Sequence, residues 1–442
     1  MTAIRKYWIA LIFSGLSVAA FAQHENEHNS QQHNSSSGVS QEQNSAESNG
    51  QPSGDFADCG EPVGEEKEGE FNAGATAIHH IADANAIHIF GNLYLHLPCI
   101  LYAPGHGWTL TTTSAFHPHH HGNGEVSKDG YVLVHGNVMR IKDAAFLEGE
   151  YKVEGYKFKE VNVDGKTKTL FYADIEGHPC TELESKTSFD GGLMGGGVTG
   201  FYDYSITRNV FTMMLTALLL FFVFRVAATS AVRTQGQAPK GLQNFIEPFY
   251  TFIRDDVAKP SIGPNYEKYM PFLLSVFFFI LGLNLIGQIP FFPGSANVTG
   301  NISITIVLAL ITFILMLFSS NKHFWAHTLW MPGVPAALKI LILTPVEILS
   351  LLLKPFTLLL RLFANITAGH VVVLCFVGLI FIFGEAGASV GGSVAGAATA
   401  IPLTLFMMAL EILVAFLQAF IFTMLSATYF GMAVEGAHDE HH

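Results

Sequence analysis

Leu358-Leu359-Leu360-Arg361-Leu362-Phe363-Ala364-Asn365-Ile366-Thr367-Ala368-Gly369-His370 is an apolar run carrying one guanidinium, one amide and one imidazole. It sits inside a largely apolar stretch over residues 335–383. As a helix rising ~1.5 Å per residue, that stretch would run about 70 Å, against a hydrocarbon core of ~30 Å. Such a helix must tilt strongly or break near Pro345 or Pro355. A second apolar stretch, 401–434, follows a Gly/Ala/Ser-rich turn over 384–398, so the pair predicts a long, tilted helical hairpin. Further out, 206–228, 269–289 and 302–319 are each long and apolar enough to cross a bilayer. Arg225, Arg233 and Lys240 at and beyond the end of the first of these, and Lys322 after the third, place those ends in the cytoplasm. Residues 241–257 are amphipathic and too polar to span, and read as lying on the cytoplasmic surface. Residues 290–301 form an uncharged outer turn. The expectation is an all-α polytopic membrane domain of five transmembrane helices over 206–436, with an inner C-terminus and a tail at 437–442.

The first two hundred residues differ in kind. Half of the whole chain is hydrophobic and only 13% is charged, about half the charged share of a soluble protein. The net charge of −13 comes largely from the segment before residue 190. With no basic cluster, it argues against nucleic acid as a partner. Arg5 and Lys6, an apolar stretch from Trp8, and Ala20-Phe21-Ala22 read as a signal peptide over 1–22. Residues 23–70, rich in Gln, Asn, Ser, Glu and Gly, read as a disordered polar leader. Short alternating runs separated by Gly- and Asp-containing turns predict a small strand-rich exported domain over 71–190, followed by a glycine-rich joint over 191–205. The glycines lack the Lys-Ser/Thr that a phosphate-cradling loop needs. Cys59, Cys99 and Cys180 lie in the exported part and allow one disulfide and one leftover thiol; Cys375, in an apolar run, reads as a small core residue. His-Pro-His-His-His at 117–121 reads as a polar loop rather than a metal site, because neighbouring histidines converge poorly on one ion.

Ionisable side chains inside apolar helices cost several kcal/mol each, which makes them functional candidates by default. They are Lys339, Glu347, Lys354, Arg361, His370 and Glu411, with Asn284, Ser350, Asn365 and Gln418 as polar company. Lys339 reads as snorkelling to the inner interface. Glu347 and Lys354, two turns apart on one face, serve either a structural pair or an inner path. Arg361 falls near the middle of its helix with no acid within a turn. It stays protonated there because its pKa exceeds about 12, so it calls for a carboxylate from another chain. In an antiparallel hairpin, residues at equal depth have position numbers with a constant total. Arg361 with Gln418, and His370 with Glu411, give nearly the same total, so the polar residues form two layers. The His370–Glu411 layer lies nearer the outside and suits a proton entry path; its rival is a buried structural salt bridge.

These residues resemble a known family. The run 360–370, Leu417-Gln418-Ala419-Phe420-Ile421-Phe422, and Asn284-Leu285-Ile286-Gly287-Gln288-Ile289-Pro290 are similar to signature stretches of F-type ATP synthase subunit a, as are Glu347, Ser350 and Lys354-Pro355. The resemblance covers about 200–435. It implies that Arg361 faces the carboxylates of a subunit c ring, with Asn365 and Gln418 as polar neighbours. It implies that His370 and Glu411 line an outer half-channel, their residue types exchanged relative to the familiar bacterial pattern. Asn284, Ser350 and Lys354 are candidate channel-lining residues, and Glu347 is placed on the inner path. The family often has Asp where this chain has Gly287. Further implied partners are the peripheral-stalk subunit b, the remaining synthase subunits and the lipid bilayer. The implied setting is a bacterial inner membrane, with the mature N-terminus periplasmic and no cofactor or metal. No nucleotide site appears in the sequence, so ATP chemistry falls to other subunits. The rival, a self-contained secondary transporter, calls for internal repeats around a midplane substrate site, and neither is evident.

Overall fold

The computed structural model describes residues 59–63, 83–90, 93–119, 122–163, 166–187, 199–234, 237–289, 296–329, 338–384 and 389–434. The signal segment, most of the polar leader, the glycines at 191–198, His120 and His121, and the 437–442 tail lie outside them. Contacts divide the chain into two units between Arg208 and Asn209.

The first unit is built of strands: β1 (Glu61–Pro62), β2 (Ala86–Phe90), β3 (Leu93–His96), β4 (Pro98–Ala103), β5 (Gly107–Thr112), β6 (Val126–Lys128), β7 (Tyr131–Val134), β8 (Asn137–Ile141), β9 (Glu150–Val163), β10 (Lys166–Ile175), β11 (His178–Glu184) and β12 (Tyr202–Asp203). Antiparallel pairing runs β9-β10-β11-β8-β7-β6, and β6 returns to β9, so six strands close a barrel. The length of β9 makes this closure possible. Glu150 to Lys152 pair with β6, while Lys157 and Phe158 further along pair with β1. Closure leaves few unpaired edges. Three turns are two-residue hairpins, Asp129-Gly130, His135-Gly136 and Glu176-Gly177, with positive φ at all six residues. That conformation matches the twist of the flanking strands, and glycine in the second place removes half its steric cost.

Strand β7 is buried on both faces, which explains its unbroken apolar sequence Tyr131-Val132-Leu133-Val134. Val132 and Val134 point into the barrel with Ile141, Val153, Ala173 and Ile175. Tyr131 and Leu133 pack instead with Cys99, Leu101, Phe116 and Phe201, beneath the three-stranded sheet β12-β4-β5. Residues 199–205 therefore belong to this unit, not to the expected joint: Phe201 is fully buried and Tyr202–Asp203 pairs with β4. The disulfide joins Cys59 to Cys180, with Cα atoms 5.6 Å apart. Cys99 is the leftover thiol, and burial pushes it up to about 12.

The second unit is helical: α1 (Arg208–Arg233), α2 (Leu242–Phe252), α3 (Tyr266–Gly287), α4 (Ile302–Ser319), α5 (Lys322–Leu329), α6 (Thr344–Phe383) and α7 (Val390–Val434). Arg208, the first residue of α1, still belongs to the strand unit. A π-helical segment, Ile253–Ala258, carries α2 on to Lys259–Ile262, where Gly263 and Pro264 turn the chain into α3. Among the described residues, five helical segments are long and apolar enough to cross a membrane, so this is a multi-pass membrane protein. Neither Pro345 nor Pro355 breaks the long helix. Pro345 stands just beyond a π-helical segment, Lys339–Leu343, which carries the helix into it, and α6 runs 40 residues through Pro355. The turn expected over 384–398 is also shorter, because α7 begins at Val390. Gly396 is a packing residue: a Cβ on it would come within 3.0 Å of Leu379 O and 3.1 Å of Ile380 Cα, whereas a Cβ on Gly391 would meet open space. Small residues let membrane helices approach this closely. Cys375 is exposed on α6, contrary to the expected core position, since an apolar run in a membrane helix need not face the protein.

Candidate functional site

Helices α6 and α7 run antiparallel along each other, and particular pairs set their register. Lys354 Nζ lies 5.5 Å from the centre of the Tyr429 ring, and His370 Nδ1 lies 3.9 Å from Glu411 Oε1. The expected pairing of His370 with Glu411 is thus present as a contact. Both side chains are largely enclosed, His370 20% and Glu411 11% exposed. At this separation the pair becomes an ion pair only when the imidazole carries its proton. Gly369 makes the arrangement possible, because a Cβ there would collide with Glu411 Oε1. Glu411 occupies the notch that the missing side chain leaves.

Arg361 is half-buried, midway between those contacts on α6. Among the described residues no carboxylate is within ion-pair distance of it, and its charge is felt by Tyr429. Gln418 is buried at 4% exposure, and no hydrogen bond joins it to Arg361 among the described residues. Asn365, one turn along, is exposed. Ala364 and Ala368 are exposed beside it, so the surface around the cation is made of small side chains. Glu347 and Lys354 lie within electrostatic reach of each other, and Ser350 is exposed. The Lys339 side chain lies outside what the structure describes.

Asn284, expected among the channel-lining residues, is buried with polar partners at both ends of its amide. It is 3% exposed; its Nδ2 donates to Ala415 O at 3.3 Å, and its Oδ1 accepts from Thr299 Oγ1 at 2.6 Å. Both ends of the amide are used in tying α3, the 296–301 turn and α7 together. Thr367 Oγ1 donates to Gly300 O at 3.4 Å, adding α6 to the same knot. The absence of an acid at Gly287 has a steric cause here: a Cβ on Gly287 would stand 2.9 Å from Ala296 O, so backbone fills the space a carboxylate would need.

Sequence reasoning missed Thr299, Thr367, Gly369 and Tyr429. Tyr429 was within reach, being eleven residues, or three turns, beyond Gln418 on the same face of α7. Thr299 and Gly369 carried no periodic signal, because their importance is a matter of spatial neighbours. Among the described residues, no group of three or more His, Cys, Asp or Glu is placed to hold a metal ion.

Comparison with known proteins locates two similarities. The family model described as "ATP synthase A chain" matches residues 210–431, and "Domain of unknown function (DUF8433)" matches residues 76–168. The chain is 46% identical over 248 residues to "ATP synthase subunit a" of Chloroherpeton thalassium, covering 55% of this chain and 70% of that protein. It is 43% identical over 255 residues to "ATP synthase subunit a 2" of Chlorobaculum tepidum, covering 55% and 67%. To "ATP synthase subunit a" of an Anaeromyxobacter species it is 40% identical, covering 55% and 58%.

Proposed function

The chain belongs to the ATP synthase A chain family and serves proton translocation in the membrane sector of an ATP synthase, and from that premise we propose how its residues move the proton. Two offset half-channels meet a ring of partner helices, the subunit c ring, at the exposed side of α6 and α7. A proton enters from the outer side, passes the His370–Glu411 pair and neutralises a ring carboxylate, which can then face lipid. Rotation carries that carboxyl round until it meets an inner path near Glu347 and releases the proton. Arg361 keeps the two paths apart: its permanent charge attracts an ionised ring carboxylate and repels a proton seeking a direct route. Ser350 and Lys354 lie along the inner part, while Asn365 and Gln418 flank the arginine. The chain carries no catalytic step of its own. The peripheral-stalk subunit b and the other subunits hold it against the ring and do the ATP chemistry. The setting is a bacterial inner membrane, with the strand domain periplasmic and the C-terminus cytoplasmic.

One observation carries this reading. Arg361 has no carboxylate partner among the described residues, and Ala364, Asn365 and Ala368, which follow it on the same face of α6, are left exposed by the rest of the chain. A cation in hydrocarbon is costly unless paired, so the open face calls for an acidic partner. The test is Arg361→Ala in the assembled complex reconstituted in liposomes, following ATP-driven acidification and passive leak. Pumping is expected to vanish with the complex intact. Normal pumping would make the arginine structural and end this mechanism.

A further inference from the structure

The strand unit presents a surface that the proton path does not use. In the sheet β12-β4-β5, Tyr202 pairs with Tyr102 and Tyr102 with Trp108, while Ile100 pairs with Leu110. Alternation along each strand puts these residues on the face away from the barrel, since Cys99, Leu101 and Phe201 between them are buried. Tyr204 joins them, its ring centre 5.8 Å from that of Trp108. Tyr102 lies 4.9 Å from Trp108, and Tyr202 lies 6.4 Å from Tyr204. Trp108 is 63% exposed, Leu110 75% and Tyr204 46%. No outward position of this sheet is charged; Asp203, the acid in β12, points inward with its side chain 2% exposed.

We propose that this aromatic face docks into the lipid headgroup layer of the bilayer leaflet on the barrel's own side. Three arguments select lipid over a protein partner. The first is continuity with the membrane: Tyr204 is four residues before Arg208, which opens the first membrane helix, so at most ~3.5 Å per residue separates them along the chain. The second is the lack of slack. Tyr204 N–H donates to Ile100 O at 2.8 Å, Ile206 N–H to Pro98 O at 3.1 Å, and Arg208 N–H to Ala84 O at 2.7 Å, so the sheet holds the chain to the residue where the helix begins. The third is chemistry. Trp and Tyr combine an apolar ring with one polar group, which suits the boundary between acyl chains and water. Lys128 borders Ile100 and Leu110 but is paired with Glu150 at 3.0 Å, so attachment is chiefly apolar and depends little on lipid charge and salt.

The test uses the full chain reconstituted in phosphatidylcholine vesicles, with Trp8, Trp325 and Trp330 each replaced by Phe so that Trp108 reports alone. Lipid brominated near the glycerol end of its acyl chains is expected to reduce Trp108 emission by about half, and acrylamide in the water is expected to quench it weakly. In a Trp108→Phe chain carrying Lys159→Trp, on β9, acrylamide is expected to quench strongly and brominated lipid not at all. Full acrylamide quenching of Trp108 without lipid quenching overturns the proposal. So does protection that appears only in the assembled synthase, which would identify a protein partner. Lipid quenching at both positions overturns the assignment to this face. If the tryptophan replacements impair folding, a nitroxide on Leu110→Cys in a Cys375→Ser chain reads the same depth. Relaxation dominated by oxygen supports docking, and relaxation dominated by an aqueous nickel chelate overturns it.

Discussion

Arg361 brings one guanidinium into an apolar helix, so what it does is decided by what stands next to it. Within the chain that place is taken by small side chains and by the reach of Tyr429, not by an acid. His370 and Glu411 differ in that they have each other, and Gly369 sets how close they come. Gly369→Ala is expected to displace Glu411 and lower ATP-driven acidification about tenfold in reconstituted complex. Adding Glu411→Asp, which retracts the carboxylate, should recover part of that loss; no recovery would mean the glycine serves helix packing only. The cysteines allow a simpler measurement. Since the thiolate is the reactive form, a thiol whose pKa lies near 12 reacts slowly until the pH approaches that value. At pH 8 alkylation of Cys99 in the folded chain is expected to be two to three orders of magnitude slower than in denaturant, read by mass spectrometry of the labelled peptides.

At the scale of elements, the sequence announced the long helices but misplaced their punctuation. Pro355 was a candidate break and proved to be an interior residue, since α6 continues through it. Gly391, Gly392 and Gly396 were read as a turn and lie within α7. In water a glycine favours turns through backbone entropy; between membrane helices it allows close approach, as at Gly396, and the two causes leave the same letter. In the strand unit the turn chemistry was more direct, because Asp-Gly, His-Gly and Glu-Gly each sit where a two-residue hairpin needs positive φ. The Cys59–Cys180 bridge closes a loop of 121 residues. Loop-closure entropy assigns such a cross-link about 5 kcal/mol. Replacing both cysteines by serine is therefore expected to lower the unfolding temperature of the strand unit by more than 10 °C in thermal scans of detergent-solubilised chain, while leaving the helical transition in place.

On the scale of the whole molecule, every residue assigned to the proton path lies after Asn209, in the helical unit, while the barrel and its aromatic sheet lie before it. Joining residue 58 directly to residue 204 is expected to leave ATP-driven acidification within about twofold of the intact chain. Loss of pumping in complexes that still contain the shortened chain would instead make the barrel part of the coupling machinery. The sequence by itself determined the division into a strand-rich part and an apolar helical part, and the membrane character of the second. It also determined the depth pairing of His370 with Glu411, because hydropathy and helical period are local properties written along the chain. Only the tertiary structure decided that β9 closes a barrel onto β6, which cysteines pair, and that Asn284 is a structural tie. It likewise placed Ala296 O where an acid at position 287 would have to stand. Those outcomes depend on which distant backbone and side-chain atoms come within bonding distance, and no periodicity along one chain encodes a neighbour a hundred residues away.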